Sequence, residues 1–455
     1  MEKLTMEQVS SYCKQYGFIY PGSEIYGGFA NTWDFGPLGS RMINNIKDCW
    51  RKRFVQQRDN SYEIDCGIIM NPKVWEASGH AKSFNDPQVD CKECKKRYRA
   101  DNLISSVAPD VNPDLMTYEE MNKYIKENIK CPNCGKSNFT DLREFDLMFK
   151  TYRGTISDQK MEIYLRPETC QGEYINFQNV LRTAREKLPF TIAQVGKSFR
   201  NEVTPGNFLF RTIEFEQMEL QTFCKPGEDE AIFNFNKEQS MKFLTDLGVN
   251  PENLRFKDHD KLVFYASAAT DIQYNFPTGW DELWGIHNRT NYDLTQHSKF
   301  SGKDLSYLDP ETNEKYIPYI LETAAGVGRM MLVFLCDALK KETLDDGSIR
   351  DVLKLHPALA PYKVAILPLI KKVHSEKAKE VYNKLNNYFM CTMDDSSSIG
   401  KRYRRQDAIG TPFCITIDVT TLENDKVTIR DRDTMEQITM NIDDIPYYVI
   451  EKTMF

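Results

Sequence analysis

Two arginines flank a turn cluster in the stretch Phe199 to Phe223: Arg200 precedes Thr204-Pro205-Gly206-Asn207 and Arg211 follows it. Three carboxylates, Glu214, Glu216 and Glu219, come next. A guanidinium is a planar fork of donors that matches phosphate oxygens, and carboxylates take small cations. Together they suit a site that grips a polyphosphate and a cation. Pro-Gly-Asn is turn chemistry, and the β-branched and aromatic flanks, 190–199 and 208–223, predict a long hairpin. Side chains alternate along a strand. Arg211, Phe215 and Glu219 are therefore expected on one face, and Thr212, Glu214 and Glu216 on the other. A solvated strand with surface ion pairs is the alternative for such a segment taken alone.

Two further segments carry matching chemistry. Cys91-Lys-Glu-Cys94 and Cys131-Pro-Asn-Cys134-Gly135 are two CxxC hooks. Four thiolates suit a closed tetrahedral zinc site, and Lys92, Lys95, Lys96, Lys130 and Lys136 would offset its negative charge. A redox CxxC is the rival reading. Ile320 to Leu335 reads as a strand, a glycine turn at Gly326 and Gly328, and an apolar helix. Glycines let backbone approach a ligand, and a helix N-terminus beside Arg329 favours anions. A plain helix cap is the alternative.

These residues need a scaffold, and the chain is long enough to build one. Its 455 residues suggest two or three domains. Residues 1 to about 85 mix helix and strand, with a helix over 44–57 and a strand over 63–70. Residues 86–145 hold both cysteine pairs and a polar helix near 118–126, and read as an insertion. A strand-rich core follows over 160–340, with a helix over about 326–339. Residues 341–361 read as a connector. Strands at 364–367, 413–419 and 426–430 alternate with helices at 376–389 and 443–452, which implies a small separate α/β domain. The expected domains are a core over 1–350 and a second unit over 358–455.

Bulk properties narrow the class. No apolar run approaches the ~18 residues of a membrane span, and the N-terminus has no apolar targeting segment. A cytoplasmic protein that does not enter a membrane is the expectation. The net charge of −7 argues against a generic nucleic-acid coat. The basic cluster Lys401-Arg402-Tyr403-Arg404-Arg405 is a candidate local patch, with an ordinary solvated helix face as the alternative. Of twelve cysteines, the eight outside the hooks read as reduced core thiols.

The pattern Phe199-Arg-Asn-Glu, turn, Phe210-Arg-Thr-x-Glu-Phe215 resembles motif 2 of class II aminoacyl-tRNA synthetases, and Gly326-Val-Gly-Arg329 resembles motif 3. Pro205-Gly-Asn with Glu214-Phe-Glu-Gln-Met-Glu219, Leu165-Arg-Pro-Glu-Thr-Cys-Gln-Gly172 and Gly279-Trp-Asp-Glu282 resemble the homodimeric glycyl-tRNA synthetases. So do Asp34-Phe-Gly-Pro-Leu-Gly39 and Asn71-Pro to His80, the second closing a motif 1 region at the class II dimer interface. The resemblance covers nearly the whole chain. It implies an α+β fold: an antiparallel sheet flanked by helices, the zinc-type insertion, and an anticodon-binding C-terminal domain. It implies a homodimer that joins glycine to tRNA(Gly) with ATP and Mg²⁺.

By the same resemblance, Arg200, Arg329 and Glu282 form the catalytic set. Arg200 holds the α-phosphate and Arg211 the terminal phosphates. Arg329 contacts the γ-phosphate and lies over the adenine opposite Phe215, Glu202 reads the adenine edge, and Glu282 carries Mg²⁺. Asn201, Phe210, Leu283, Gly326 and Gly328 complete the ATP site. The glycine site is expected from Arg99, Glu168, Phe215, Glu216, Gln217, Met218, Glu219, Glu322, Ala324 and Gly326. His287 and His297 read as structural. The chain departs from the family at Cys170, where alanine is usual, at Ala324, where serine is usual, and at Asn291, where aspartate is common. The missing hydroxyl at Ala324 removes one expected substrate contact. A synthetase for proline, threonine or serine is the nearest enzyme rival. A synthetase-like accessory protein without activity is the rival of another class.

Overall fold

The computed structural model describes residues 4–154, 160–202, 208–263, 265–344 and 347–455. Its centre is a seven-stranded sheet. In chain order the strands are β1 (Ser61–Glu63), β2 (Phe190–Phe199), β3 (Glu214–Cys224), β4 (Leu254–Asp258), β5 (Ala268–Phe276), β6 (Gly279–Thr290) and β7 (Tyr319–Gly326). Their spatial order is β4-β5-β6-β7-β3-β2-β1. Only the edge pair β1–β2 runs parallel; the remaining neighbours are antiparallel.

Alternation sorts this sheet into two faces. Met218 and Leu220 of β3, Trp284 and Ile286 of β6, and Leu321 and Ala325 of β7 point to one side and join the largest apolar cluster. Two helices cover that side. Met42, Ile46 and Trp50 come from α1 (Pro37–Arg51), and Met330 to Leu335 from α2 (Val327–Ala338). Each such side chain contributes about 1.5–3 kcal/mol on burial. Two glycines set the approach of α1: a Cβ on Gly36 would lie 2.3 Å from the Gly17 carbonyl oxygen, and one on Gly39 1.9 Å from that of Phe18. The opposite face carries polar side chains at the odd positions of β3, and it forms the floor of a cleft.

Outside the sheet, the insertion is a three-stranded sheet with Asn85–Asp90 between Arg97–Arg99 and Arg143–Asp146. Its helix Tyr118–Asn128 starts with a reciprocal Thr117–Glu120 capping box. At the C-terminal end, β8 (Val364–Pro368), β9 (Cys391–Met393), β10 (Phe413–Ile417), β11 (Lys426–Asp431) and β12 (Gln437–Asn441) form a mixed sheet in the order β9-β8-β10-β11-β12. Ala378, Val381 and Leu385 of the helix Lys371–Leu385 pack on it, with Ile445 and Val449 of the helix Ile445–Thr453.

Several local expectations are revised. The strand expected over 63–70 is the short edge strand β1; the chain then leaves the sheet, and Ile64, Cys66, Ile69 and Met70 help line a cavity of about 440 Å³ with Ile175 and Val180. The hairpin strands form as expected, but the turn 203–207 lies outside the described residues. Arg211 precedes β3, beyond the 3-10 turn Phe208–Phe210, so strand alternation does not set its direction. The connector after α2 contains a hairpin, Leu339–Thr343 with Ile349–Leu353. All twelve cysteines are free thiols, and six of the eight outside the hooks are buried.

Candidate active site

The cleft floor is a set of cross-strand rows. Glu219 of β3 stands opposite Ala324 of β7, which stands opposite Gly285 of β6. In the next row Gln221, Glu322 and His287 stand side by side. A third row pairs Gln217 with Gly326. Small residues beside acids leave room for a small ligand over a charged floor.

Three carboxylates converge on that room. Glu219 is nearly fully buried and accepts hydrogen bonds from Thr169 Oγ1 at 2.5 Å and Gln217 Nε2 at 2.8 Å. Burial first, then the neighbouring charges of Glu322 and Glu168, push its pKa up to about 8, against the lowering by Thr169 and Arg289. Glu168 accepts from Cys170 Sγ at 2.9 Å and Gln171 Nε2 at 3.1 Å, and its Oε1 lies 3.3 Å from His80 Nε2. Burial alone would raise the Glu168 carboxyl; His80 and Arg289 outweigh it and hold the group well below the usual carboxylate range. Glu322 accepts from Tyr174 and Gln221, each at 3.1 Å, and lies 3.0 Å from His287 Nδ1. Burial again acts upward there, and Arg289 and His287 bring the pKa down to about 2.

Arg289 ties this floor together. It is 5% exposed, grips Asp293 through Nε at 2.8 Å and Nη2 at 3.1 Å, and reaches Glu322 from Nη1 at 3.3 Å. Its guanidinium lies over the rings of Tyr265 and Tyr174. Arg166 plays the same part for the loop that carries Glu168: it is buried, lies against Gly196, and donates to the carbonyls of Lys197 at 2.6 Å and Cys66 at 2.8 Å. Sequence reasoning gave neither arginine a role. An arginine inside otherwise apolar or acidic surroundings is the signal that marks both, because it cannot lose its charge and must find partners.

A second group of cations lies toward the open end of the cleft. Glu282 sits at the open rim; partial desolvation by the cleft walls pushes its carboxyl up, and Arg329, His287, Arg200 and Arg211 together outweigh that and hold it below its ordinary value. Arg329 Nη1 lies 3.2 Å from Glu282 Oε1 and donates to its backbone carbonyl at 2.9 Å, while Nε donates to the Phe210 carbonyl at 3.3 Å. The Arg329 guanidinium stacks on Phe210. That of Arg200 lies between Phe84 and Phe215 and donates to the Pro167 carbonyl at 3.1 Å. Arg211 donates to Glu202 at 3.3 Å. Gly326 caps α2, so the amides of Val327 and Gly328 open toward this end.

Some expected contacts fall elsewhere. Glu216 and Met218 sit at even positions of β3. Glu216 pairs with Lys47 of α1 at 3.1 Å, and Met218 is fully buried in the main apolar cluster. Their side chains therefore face the helices, which corrects the expectation that they line the glycine pocket. Arg99 pairs with Asp86 at 3.0 Å and Asp101 at 2.8 Å and feels the charge of Glu202. That placement sets Arg99 close to Glu202, in the segment that resembles motif 2. Asn201 donates to the Asp146 carbonyl at 3.4 Å, and Leu283 is buried beneath the sheet. His297 Nε2 donates to Gln171 Oε1 at 2.9 Å, inside the core of the loop.

The insertion brings its four cysteines together: Sγ atoms of Cys91 and Cys134 lie 3.5 Å apart, and those of Cys94 and Cys131 3.7 Å apart. Both hooks have one geometry. Lys95 N donates to Cys91 O and Cys91 N to Lys96 O; Gly135 N donates to Cys131 O and Cys131 N to Lys136 O. Lys95 and Gly135 take the left-handed conformation that closes each turn, φ 61° and 72°.

An antiparallel sheet with an acidic pocket on its cleft face and Arg200, Arg211 and Arg329 grouped at the open end of that cleft has the layout of a class II aminoacyl-tRNA synthetase. Residues 149–337 match the family described as tRNA synthetase class II core domain (G, H, P, S and T), and residues 363–452 match the anticodon binding domain. The fold is similar to a solved threonyl-tRNA synthetase structure from Cryptosporidium parvum Iowa II, at a TM-score of 0.66 and 19% identity over 99% of this chain and 98% of that one. Among relatives, the glycine–tRNA ligase of Clostridium kluyveri is 55% identical over 99% of both chains. That of Geobacillus thermodenitrificans is 54% identical over 99% of this chain and 98% of its own. The chain belongs to the glycine–tRNA ligase family.

Proposed function

We propose that the cleft activates glycine with ATP and passes the glycyl group to tRNA(Gly). The observation that carries this reading is the ring of Glu168, Glu219 and Glu322, the last two buried, beside Ala324 and Gly285 and next to the cation group at Arg200 and Arg329. Glycine has no side chain to grip, so recognition falls on its ammonium group and on steric exclusion of anything larger. Attraction alone separates substrates that differ by one methyl by only ~1–3 kcal/mol. The test is ATP-dependent charging of tRNA(Gly) with labelled glycine, and failure to charge it while alanine or serine is accepted overturns the assignment.

In the first step the glycine carboxylate attacks the α-phosphate of ATP and pyrophosphate leaves. No side-chain nucleophile is required; positioning and charge neutralisation carry the rate. Arg200, between Phe84 and Phe215, is placed to hold the α-phosphate. Arg211 takes the terminal phosphates with Arg329, and Glu202 faces the base. Glu282 would hold a hydrated Mg²⁺, which would supply positive charge to the polyphosphate. In the second step a terminal ribose hydroxyl of the tRNA attacks the glycyl carbonyl, the bond from that carbonyl to the phosphate oxygen breaks, and AMP leaves as the hydroxyl gives up its proton. Arg329→Gln should raise the KM for ATP by roughly 10–100-fold, the worth of a charge-assisted contact of ~1.5–3 kcal/mol, with the KM for glycine little changed; initial-rate kinetics on both substrates checks this.

Ala324 faces the pocket between Glu219 and Gly285. A hydroxyl there adds one neutral hydrogen bond, about 0.5–1.5 kcal/mol. Ala324→Ser is therefore expected to lower the glycine KM about 2–10-fold, and an unchanged or raised KM removes Ala324 from the contact set.

The two knuckles fit a structural Zn²⁺, since four thiolates leave no open position. One zinc per chain should appear on elemental analysis of protein purified without chelator, and chelation should unfold residues 86–145 before the rest. The domains we assign are the core over 1–350, with that insertion, and an anticodon-binding domain over 358–455. Lys401 is the exposed member of the basic cluster there. Arg402 is buried on the Pro368 carbonyl and Arg405 is paired with Asp394, so the tRNA-facing patch is smaller than the sequence suggests. The cavity beside β1, with Ile69 and Ile175 exposed at it, fits a subunit contact, and we assign a homodimer; a monomer mass in sedimentation overturns it. Among the described residues no helix is long and apolar enough to cross a membrane. That and the free thiols support a cytoplasmic location.

A further inference from the structure

At the β5–β6 edge of the cleft floor, three side chains that the activation chemistry does not use meet in one place. His259 follows β4, Asp271 lies in β5 and His287 in β6, and one ligand atom from each lies within 4.8 Å of the others. His259 stands beside Ala269, which is paired with His287, and Asp271 is paired with Gly285. The three therefore share the cleft face of the sheet. His259 Nε2 lies 3.0 Å from Asp271 Oδ2.

Two details distinguish this group from an ordinary surface ion pair. The first is the orientation of His287. Its Nδ1 lies 3.0 Å from Glu322 Oε1, so a carboxylate stands behind the ring. That contact fixes the ring, so that Nε2 faces the gap beside Asp271. A histidine oriented by a carboxylate behind it is the usual partner arrangement for a metal-bound imidazole. The second is the space in front of it. A Cβ on Gly285 would lie 3.1 Å from His287 Cε1, 3.6 Å from Nε2 and 3.7 Å from Asp271 Oδ1. The bare glycine leaves both ligand atoms facing one gap.

We propose that His259, Asp271 and His287 form a second metal site that takes a zinc-class divalent ion. Two imidazole nitrogens and one carboxylate oxygen suit Zn²⁺ or Co²⁺ and leave a position for water. Tetrahedral zinc wants its ligand atoms roughly 3.3 Å apart, so the three side chains draw inward on binding. Lys257 lies across from Asp271 but is engaged by Asp260 at 3.0 Å, so the carboxylate remains available to the ion. Asp271 lies in the same row as Ala324, two strands away past Gly285, and Ala324 is opposite Glu219. A cation there opposes the glycine ammonium and raises the KM for glycine. The binding claim stands apart from the glycine assignment; the kinetic claim rests on it.

The test compares the purified holoprotein with H259A/D271A, each titrated with CoCl₂ and then ZnCl₂ in a metal-buffered solution. Wild type should bind one equivalent more than the variant, with Co²⁺ d–d absorption that Zn²⁺ abolishes. The cysteine site is common to both proteins and cancels in the difference. Added Zn²⁺ should raise the glycine KM several-fold in wild type and leave the variant unchanged; without added metal the two should be equally active. H259Q, a milder change at an exposed position, covers misfolding of the double variant. Equal stoichiometry in wild type and variants overturns the site. A bound extra equivalent with no change in glycine KM overturns its link to the pocket.

Discussion

Glu219→Gln is expected to abolish glycine activation while making the free protein more stable above neutral pH. The carboxyl is buried with Glu322 and Glu168 beside it, and its pKa stands near 8, against about 4.3 in an unfolded chain. The folded state therefore holds this proton more tightly than the unfolded state. Its contribution to stability is fully present below the unfolded value and is lost as the pH rises through about 8. Glutamine does not ionise and escapes that loss, so the melting-temperature difference between variant and wild type should widen in favour of the variant from pH 6 to pH 9. Function moves the other way. The glycine ammonium needs an ionised partner, so its binding expels the Glu219 proton, and the wild-type KM should fall as pH rises from 6.5 to 8. Without the charge this limb flattens. kcat/KM should drop by at least about 30-fold, the low end of losing one member of a buried charge pair at ~2–5 kcal/mol. Parallel melting curves and pH profiles of the two proteins check both arms.

Arg289→Met should be the most destabilising single change in the core. The arginine is buried against two tyrosine rings, and its fork satisfies Asp293 and Glu322 at once. Removing it leaves both carboxylates buried without their cation, at a cost of about 3–5 kcal/mol. The Glu322 carboxyl then shifts upward, because the charge that lowers it most is gone, and glycine activation should be lost even in the fraction that folds. Arg289→Lys should recover only part of either effect, since a single ammonium cannot engage two carboxylates as a planar fork does. Denaturant midpoints, with exchange activity per folded molecule, separate the two consequences.

What could be read from the residues in advance follows from range. Motif 2, the motif 3 strand-turn-helix and the cysteine hooks are local patterns, and the strands β2, β3 and β7, the helix α2 and both knuckles form where those patterns lie. The odd-numbered face of β3 was legible by alternation alone, which placed Phe215 and Glu219 together. The same rule sends Glu216 and Met218 to the helices, and treating the whole segment as pocket lining overlooked it. Arg211 escaped alternation because the chain is not yet a strand there. The roles of Arg289 and Arg166 depend on partners far away in sequence, Glu322 and Cys66 among them, and no local pattern encodes such meetings. The row Glu219–Ala324–Gly285 likewise exists only once β3, β7 and β6 are in register.

The central claim is that this acidic pocket is built for glycine and that the adjacent cations activate it with ATP. Amino-acid-dependent exchange of pyrophosphate into ATP, run with glycine, alanine, serine, proline and threonine on the intact chain, tests it most directly. Exchange with glycine, with the other four near background, is the predicted result; exchange driven by another of them, or none with glycine, contradicts it.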